Sequence, residues 1–420
     1  MARVAVSDST SNPPDAVESF TRLLTPLGQQ LLDELRDFDP AQELAVATRL
    51  RRRHPPELVS AAIGQARLRQ RAVAKFGAAD ASRMYFTPDG LEQATRSAVA
   101  TYRAERIAAA GVRRLVDICC GVGGDALALA RAGVQVLAVD RSALTCAVLA
   151  ANAAALGLDG LIEVRRAEAA DLGDAELLGG PDPYDAVFVD PARRGGRGRI
   201  FDPEAYSPPL SWAGELAARM PCAALKIAPG VPHEAIPPEA EAEWISVDGE
   251  VKEAVLWFGG FTEGTGGPAR PVVRATLLPE RHSLVGEGLP DPQAGPVLRY
   301  LYEPDGAVIR SHLVAELARD LGARLIDPTI AYLTADELRT TPYARAYEIT
   351  DALPFNLKRL KALLREREVG TLTVKKRGSP IEPEELRRRV KPRGPASATV
   401  FLTRAEGAPA MLLGHPVTGT

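Results

Sequence analysis

Carboxylates and a glycine-rich turn are spaced in this chain so that they could hold a small cationic ligand. The turn reads Asp117-Ile118-Cys119-Cys120-Gly121-Val122-Gly123-Gly124-Asp125, and an Ala- and Leu-rich stretch of helical character follows at once. Gly121, Gly123 and Gly124 allow the backbone to turn sharply and approach a ligand, leaving the first amides of the next helix free to bind it. With Ala126 the glycines also satisfy the looser dinucleotide pattern G-x-G-x-x-G/A, so a nicotinamide or flavin enzyme has to be weighed. Two acids oppose that reading. Asp125 would repel a pyrophosphate, whereas Asp117 suits a ligand with an amino group and a sulfonium. S-adenosylmethionine is such a ligand. Asp140 closes the next apolar run, where a carboxylate can accept from both ribose hydroxyls of an adenosine. Glu168, after the third run, either receives the adenine amino group or is a surface acid.

These residues need elements that bring the ends of successive runs together. RLVDIC, VQVLAVD, IEVRRA, AVFVD and CAALKIA read as strands alternating with Ala- and Leu-rich helices, the pattern of a doubly wound, largely parallel α/β sheet of Rossmann-like type. EWISV and EAVLWFG, joined by Asp-Gly-Glu, add an antiparallel edge. Residues 15–76 carry apolar positions at helical spacing, and LEQATRSAVATYRAERIAAAG reads as one further helix ended by Gly111. Beyond a Gly- and Pro-rich link lies a distinct module in which LKRLKALLRERE and EELRRRVKPRG are basic helices and TLTVKKRG a strand. The expected organisation is an N-terminal helical region (residues 1–79), a cofactor-binding domain (80–280) and a smaller α+β C-terminal domain (281–410).

At 420 residues the chain exceeds one compact core, and its 25% charged and 46% hydrophobic residues are an ordinary globular mix. No apolar run reaches the twenty or so residues of a membrane span, and the first residues lack a signal-peptide core. Cys119, Cys120, Cys146 and Cys222 show neither metal-ligand nor disulfide spacing, so no metal and a reducing, cytoplasmic setting are expected. A net charge of −3 gives no global attraction to nucleic acid. Local basic patches do exist. Between Lys358 and Arg393, thirteen Lys or Arg face five Glu, and Arg193, Arg194, Arg197 and Arg199 form a tighter cluster.

The string DICCGVGGDALALA resembles motif I of class I S-adenosylmethionine-dependent methyltransferases, closest to the Cys-Gly-x-Gly-Gly form of guanine-N2 RNA cap methyltransferases. Cys119 stands where the commoner motif has its first glycine. With FTPDGLEQATR, VFVDPARRGGRGRIFDP and a late KKRG, the chain is similar over most of residues 80–400 to bacterial methyltransferases carrying a THUMP-like C-terminal domain. The resemblance implies that Glu92, Gln93 and Thr95 lie on a helix closing over the methionine end of the cofactor. It also implies that Asp190 and Pro191, at the end of the fourth strand, meet the methyl acceptor. Enzymes of this kind that methylate exocyclic amines follow the acid with Pro-Pro and an aromatic residue. Here Ala192 and Arg193 stand instead, so a base must be stacked by other groups or the acceptor is not a base.

Direct methyl transfer needs alignment more than acid-base chemistry, because the sulfonium is already a good leaving group. A cysteine nucleophile is disfavoured, since Cys222 opens its strand at the end away from the reaction site. Lys226, Pro229 and Gly230, near the end of the fifth strand, either border the acceptor side or, for the Pro-Gly pair above all, serve the structure of the turn. Arg193 and Arg194 bind phosphate or a base, or are a surface turn. Lys375, Lys376 and Arg377, with Arg388 and Arg389, either contact RNA or form a solvated charged face. The leading expectation is a methyltransferase acting on a base nitrogen of rRNA or tRNA, guanine N2 among the possibilities. A small-molecule or protein acceptor, and a non-catalytic nucleic-acid-binding protein, are the alternatives.

Overall fold

The structure, a computed structural model, describes residues 14–173, 177–179, 182–192, 194–195, 198–199, 202–262 and 271–417. Two compact units emerge: Met1–Ala240 with Val255–Thr265, and Glu241–Ala254 with Gly266–Thr420.

The first unit contains a parallel sheet built from β1 (Arg114–Ile118), β2 (Gln135–Asp140), β3 (Ile162–Arg166), β4 (Ala186–Val189) and β7 (Cys222–Ile227), in the order β3-β2-β1-β4-β7. Between β4 and β7 two antiparallel two-residue strands, β5 (Arg194–Gly195) and β6 (Gly198–Arg199), are described by their backbone. The central strands are short apolar runs with both faces covered, and all four residues of β4 are fully buried. Each such Val or Phe contributes about 1.5–3 kcal/mol by leaving water. Strand order reverses between β1 and β4, so the crevice for a ligand opens at their carboxyl ends. The helices Gly124–Arg131 and Ala143–Leu156 follow β1 and β2.

Helices Pro14–Leu23, Pro26–Glu34, Glu43–Leu50 and Pro56–Ala81 precede this sheet, as the apolar spacing of residues 15–76 anticipates. The next helix is not the continuous one expected. A short helix, Pro88–Gln93, capped by the Thr87 hydroxyl, ends before Ala94, and a second runs Ser97–Ala109. Lys75 Nζ caps the first by donating to the carbonyls of Leu91 (2.8 Å), Glu92 (2.6 Å) and Ala94 (2.9 Å). The break frees Thr95 from helical geometry. Asn152, fully buried, holds the preceding segment by bonding both backbone groups of Tyr85 and the Val122 carbonyl.

The second unit contains β8 (Glu241–Val247), the start of β9 (Glu250–Gly259), β10 (Val272–Leu278) and β11 (His282–Val285). Asp248 and Gly249 between β8 and β9 both have positive φ (53° and 82°), the geometry of a two-residue hairpin turn, matching the Asp-Gly-Glu expectation. The same unit holds a seven-stranded sheet of β12 (Tyr300–Pro304), β13 (Arg324–Asp327), β14 (Ile330–Ala335), β15 (Ala344–Pro354), β16 (Val369–Lys376), β17 (Ala396–Ala405) and β18 (Ala408–Pro416). Their order is β13-β14-β12-β15-β18-β17-β16. Helices Leu357–Glu366 and Pro383–Val390 cover one face through Leu360, Leu364, Leu386 and Val390. The two basic helices and the KKR strand are therefore where their sequences indicated. No helix among the described residues is long and apolar enough to cross a membrane.

Candidate active site

The turn after β1 is built by three left-handed backbones: Cys119 (φ 64°), Gly121 (φ 55°) and Gly123 (φ 95°). At Gly123 a Cβ would also crowd the end of the Leu149 side chain, which would have to shift. At Cys119 a residue with a side chain occupies a conformation that favours glycine. Its thiol lies 3.9 Å from the Ser207 carbonyl, and burial raises its pKa far above the ordinary thiol value. Burial also raises Cys120, and it pushes Cys146 up to about 11. All three therefore stay protonated at neutral pH and are poor nucleophiles. Cys222 opens β7, as expected, at the opposite end from the crevice.

Asp117, near the end of β1, has no exposed surface, and neither carboxylate oxygen accepts a hydrogen bond from the described residues. Burial is the largest cause of its strongly raised pKa, reinforced by Asp125 and Asp190 and opposed by Arg103 and Lys226. Three acids thus share a buried cluster with two bases.

Asp125 does not play the part its sequence position suggested. The expectation was a charge facing the ligand, but the carboxylate is buried and taken up inside the protein. Arg103 Nη1 pairs with Oδ1, and Thr95 Oγ1 donates to Oδ2 at 2.7 Å. Arg103 also lies over the Phe188 ring, 4.6 Å from its centroid. Lys226 continues the network, donating to Thr95 Oγ1 (2.8 Å) and Asp190 Oδ2 (2.7 Å). The chain Arg103–Asp125–Thr95–Lys226–Asp190 surrounds Asp117 and reaches the mouth of the crevice, where the Asp190 side chain is 23% exposed.

Asp140, at the end of β2, accepts from the Gly121 amide (3.2 Å) and the Ser142 amide (2.9 Å), so it fixes the glycine turn it faces. Burial raises its pKa, the two amides oppose that rise, and Glu168 is near enough to add to it. Glu168 is itself exposed, before a short turn of helix. Gly124 begins the next helix with Thr95 against it. Pro191 is buried, and Ala192 pairs in antiparallel fashion with Ser207. Glu92 and Gln93 lie exposed on the short helix, and only Thr95 of that trio is buried in the network. Arg193 and Arg197 lie outside the described residues, and Arg194 and Arg199 are described by backbone alone.

In the second unit, Lys375 pairs with Glu303 and lies over the Tyr347 ring, and Lys376 pairs with Glu382. Arg377 donates to the Ala331 carbonyl at 3.1 Å and stacks on Tyr332, and Arg389 pairs with Glu385. Every member of the KKR triplet thus has a partner inside the protein.

Comparison with known proteins decides the class of chemistry. An uncharacterized S-adenosylmethionine-dependent methyltransferase of Mycobacterium tuberculosis (strain H37Rv) is 34% identical over 348 residues, spanning 80% of this chain and 90% of the relative. The same match is found in strain CDC 1551 / Oshkosh. This chain belongs to the S-adenosylmethionine-dependent methyltransferases. The methyltransferase matches the RNA cap guanine-N2 methyltransferase family at residues 112–198, a THUMP domain-like family at 344–416 and a domain family of unknown function at 15–72. Its fold is shared with a Porphyromonas gingivalis W83 protein assigned as a methyltransferase, at 22% identity and a TM-score of 0.69, covering 90% of this chain and 99% of that one. Its methyl donor is S-adenosylmethionine.

Proposed function

We propose that the methyltransferase modifies a base nitrogen of rRNA or tRNA, guanine N2 among the candidates, in the cytoplasm. We assign the cofactor to residues 80–280, following the N-terminal helices of residues 1–79, and RNA holding to residues 281–410. The observation that carries the cofactor assignment is Asp117, a buried carboxyl with no hydrogen-bond donor among the described residues, in a cluster holding more acid than base. Such a group fits the ammonium and sulfonium of the methyl donor, because both supply the positive charge the cluster lacks. Gly121, Gly123 and Gly124 give the backbone its close approach. Asp140 retains acceptor capacity beyond its two amides for the ribose hydroxyls, since a carboxylate offers about four lone-pair sites. Glu168 is assigned to the adenine side.

Bound S-adenosylmethionine supplies an activated methyl group. The protein must orient the acceptor and take up the proton that the acceptor nitrogen loses. Asp190 meets both needs. Lys226 holds Oδ2, while Oδ1 has no partner among the described residues and can accept an exocyclic N–H. Pro191 fixes the backbone beside it, and Arg193 and Arg194 are assigned to phosphate or base contact. The RNA assignment is supported by the family matches at 112–198 and 344–416. It is tested by comparing modified nucleosides in total RNA from cells with and without the protein. Loss of one methylated nucleoside is expected, and an unchanged set would favour a protein or small-molecule acceptor.

A further inference from the structure

The second unit contains a cleft of about 310 Å3 between the helix Leu357–Glu366 and the chain leaving the helix Pro383–Val390. Leu364, Val390 and Pro392 contribute apolar lining, and Lys361, Arg365, Lys391 and Arg393 supply four cations. None of the four side chains has a carboxylate partner among the described residues, and Lys361 is half-buried. Five other basic residues of the same unit are treated differently. Lys375, Lys376, Arg367, Arg387 and Arg389 are each matched by an acid.

Compensation of helix dipoles accounts for Arg365, in the last turn of its helix, and for Lys391 at the end of the other. It does not account for Lys361, which sits mid-helix, nor for four cations converging on one cleft. Like charges brought together repel, so folding alone gives no reason for the arrangement. A polyanion with regularly spaced charges would remove the repulsion. Phosphodiesters of a single strand suit a cleft whose apolar lining can meet a sugar or base while its rim neutralises phosphates.

We propose that this cleft, rather than the KKR strand, is where the methyltransferase holds the phosphodiester backbone of single-stranded RNA. The inference rests on the proposed action on RNA. The apolar sides of the two helices already serve the core through Leu360, Leu364, Leu386 and Val390, which leaves their cationic rim available for the strand. Lys358, three residues before Lys361 on the same helix, extends the basic stripe beyond the cleft.

The test uses the full chain and a fluorescently labelled 20-nucleotide single-stranded RNA of mixed sequence, with anisotropy read between 50 and 200 mM KCl. Replacing Lys361, Arg365, Lys391 and Arg393 together by Ala should make the plot of log affinity against log salt shallower by about 3, at roughly 0.7 for each phosphate no longer neutralised. Affinity at 150 mM should fall at least about tenfold. The pairs K361A/R365A and K391A/R393A should each produce about half the slope change. They guard against a folding defect in the fourfold variant. A control, R49A/R52A/R53A in the first unit, should change the affinity by less than about twofold and the slope by less than about 0.5. Thermal unfolding of each variant is followed alongside, so that affinity is compared only between proteins folded at the assay temperature. A fourfold variant that binds like wild type while wild type binds well would overturn the cleft alone. Wild type that binds no RNA even at 50 mM salt would overturn the action on RNA and the cleft with it.

Discussion

Replacing Asp117 by Asn preserves the shape of the side chain and removes its capacity for negative charge. In the folded protein this carboxyl is 0% exposed and accepts no hydrogen bond from the described residues, and burial, followed by Asp125 and Asp190, holds its pKa well above the carboxylate norm. The folded state therefore keeps a proton on Asp117 where the unfolded chain has already lost it. Between an unfolded value of about 3.9 and the raised folded value, the folded state binds more protons, so stability falls as pH rises through that window. The Asp117→Asn protein escapes this loss. Without cofactor at pH 7 it should melt above wild type, by about 2–4 °C for each kcal/mol recovered in a unit of this size. With cofactor the order should change. A hydrogen bond to a charged group contributes about 1.5–3 kcal/mol, so its loss should weaken S-adenosylmethionine by roughly 10- to 150-fold. Scanning calorimetry from pH 5 to 8 and titration calorimetry with S-adenosylmethionine read the two effects separately. A variant that melts below wild type without cofactor, or binds the donor as tightly, would refute the reasoning.

Asp140→Ala should weaken S-adenosylmethionine by about 1–3 kcal/mol in titration calorimetry. It should also lower the melting temperature of the cofactor-free protein, because the Gly121 and Ser142 amides lose their acceptor. Arg103→Met should leave the Asp125 carboxylate buried without its guanidinium and destabilise the first unit by about 3–5 kcal/mol. A urea-unfolding midpoint equal to wild type would show that Thr95 and solvent suffice for Asp125.

The strands that carry the site were legible because each is a short Val-, Ile- or Leu-rich run, and three of them deliver an acid at or near the carboxyl end: Asp117, Asp140 and Asp190. The network behind those acids was not. Lys226 meets Thr95 across 131 positions and Asp190 across 36, separations to which no local period is sensitive. One signal was present. Arg103 lies on the stripe of Val99, Ala100, Ala104 and Ile107, and a cation among apolar helix positions needs a buried acid. The helix break at Ala94 was hidden because no proline or glycine marks it, and tertiary contacts through Lys75 and Thr95 decide it. In the C-terminal unit the basic runs drew attention to two helices and one strand. The hairpin of β17 and β18 had its own mark in Glu406-Gly407, both at positive φ (48° and 82°). The internal partners of Lys375, Lys376 and Arg377 come from Glu303, Glu382 and the Ala331 carbonyl, and sequence spacing pointed to none of them.

The most direct measurement is transfer of a radiolabelled methyl group from S-adenosylmethionine to RNA isolated from cells lacking the protein, with wild type and Asp190→Ala compared side by side. Wild type should label the RNA, and nuclease digestion should yield a methylated guanosine. The Asp190→Ala protein should leave the RNA unlabelled while binding S-adenosylmethionine nearly as well as wild type, because the carboxylate removed serves the acceptor. Labelling at the wild-type rate by the variant would remove Asp190 from the reaction. Label that enters protein or a small molecule, and never RNA, would contradict the proposed function.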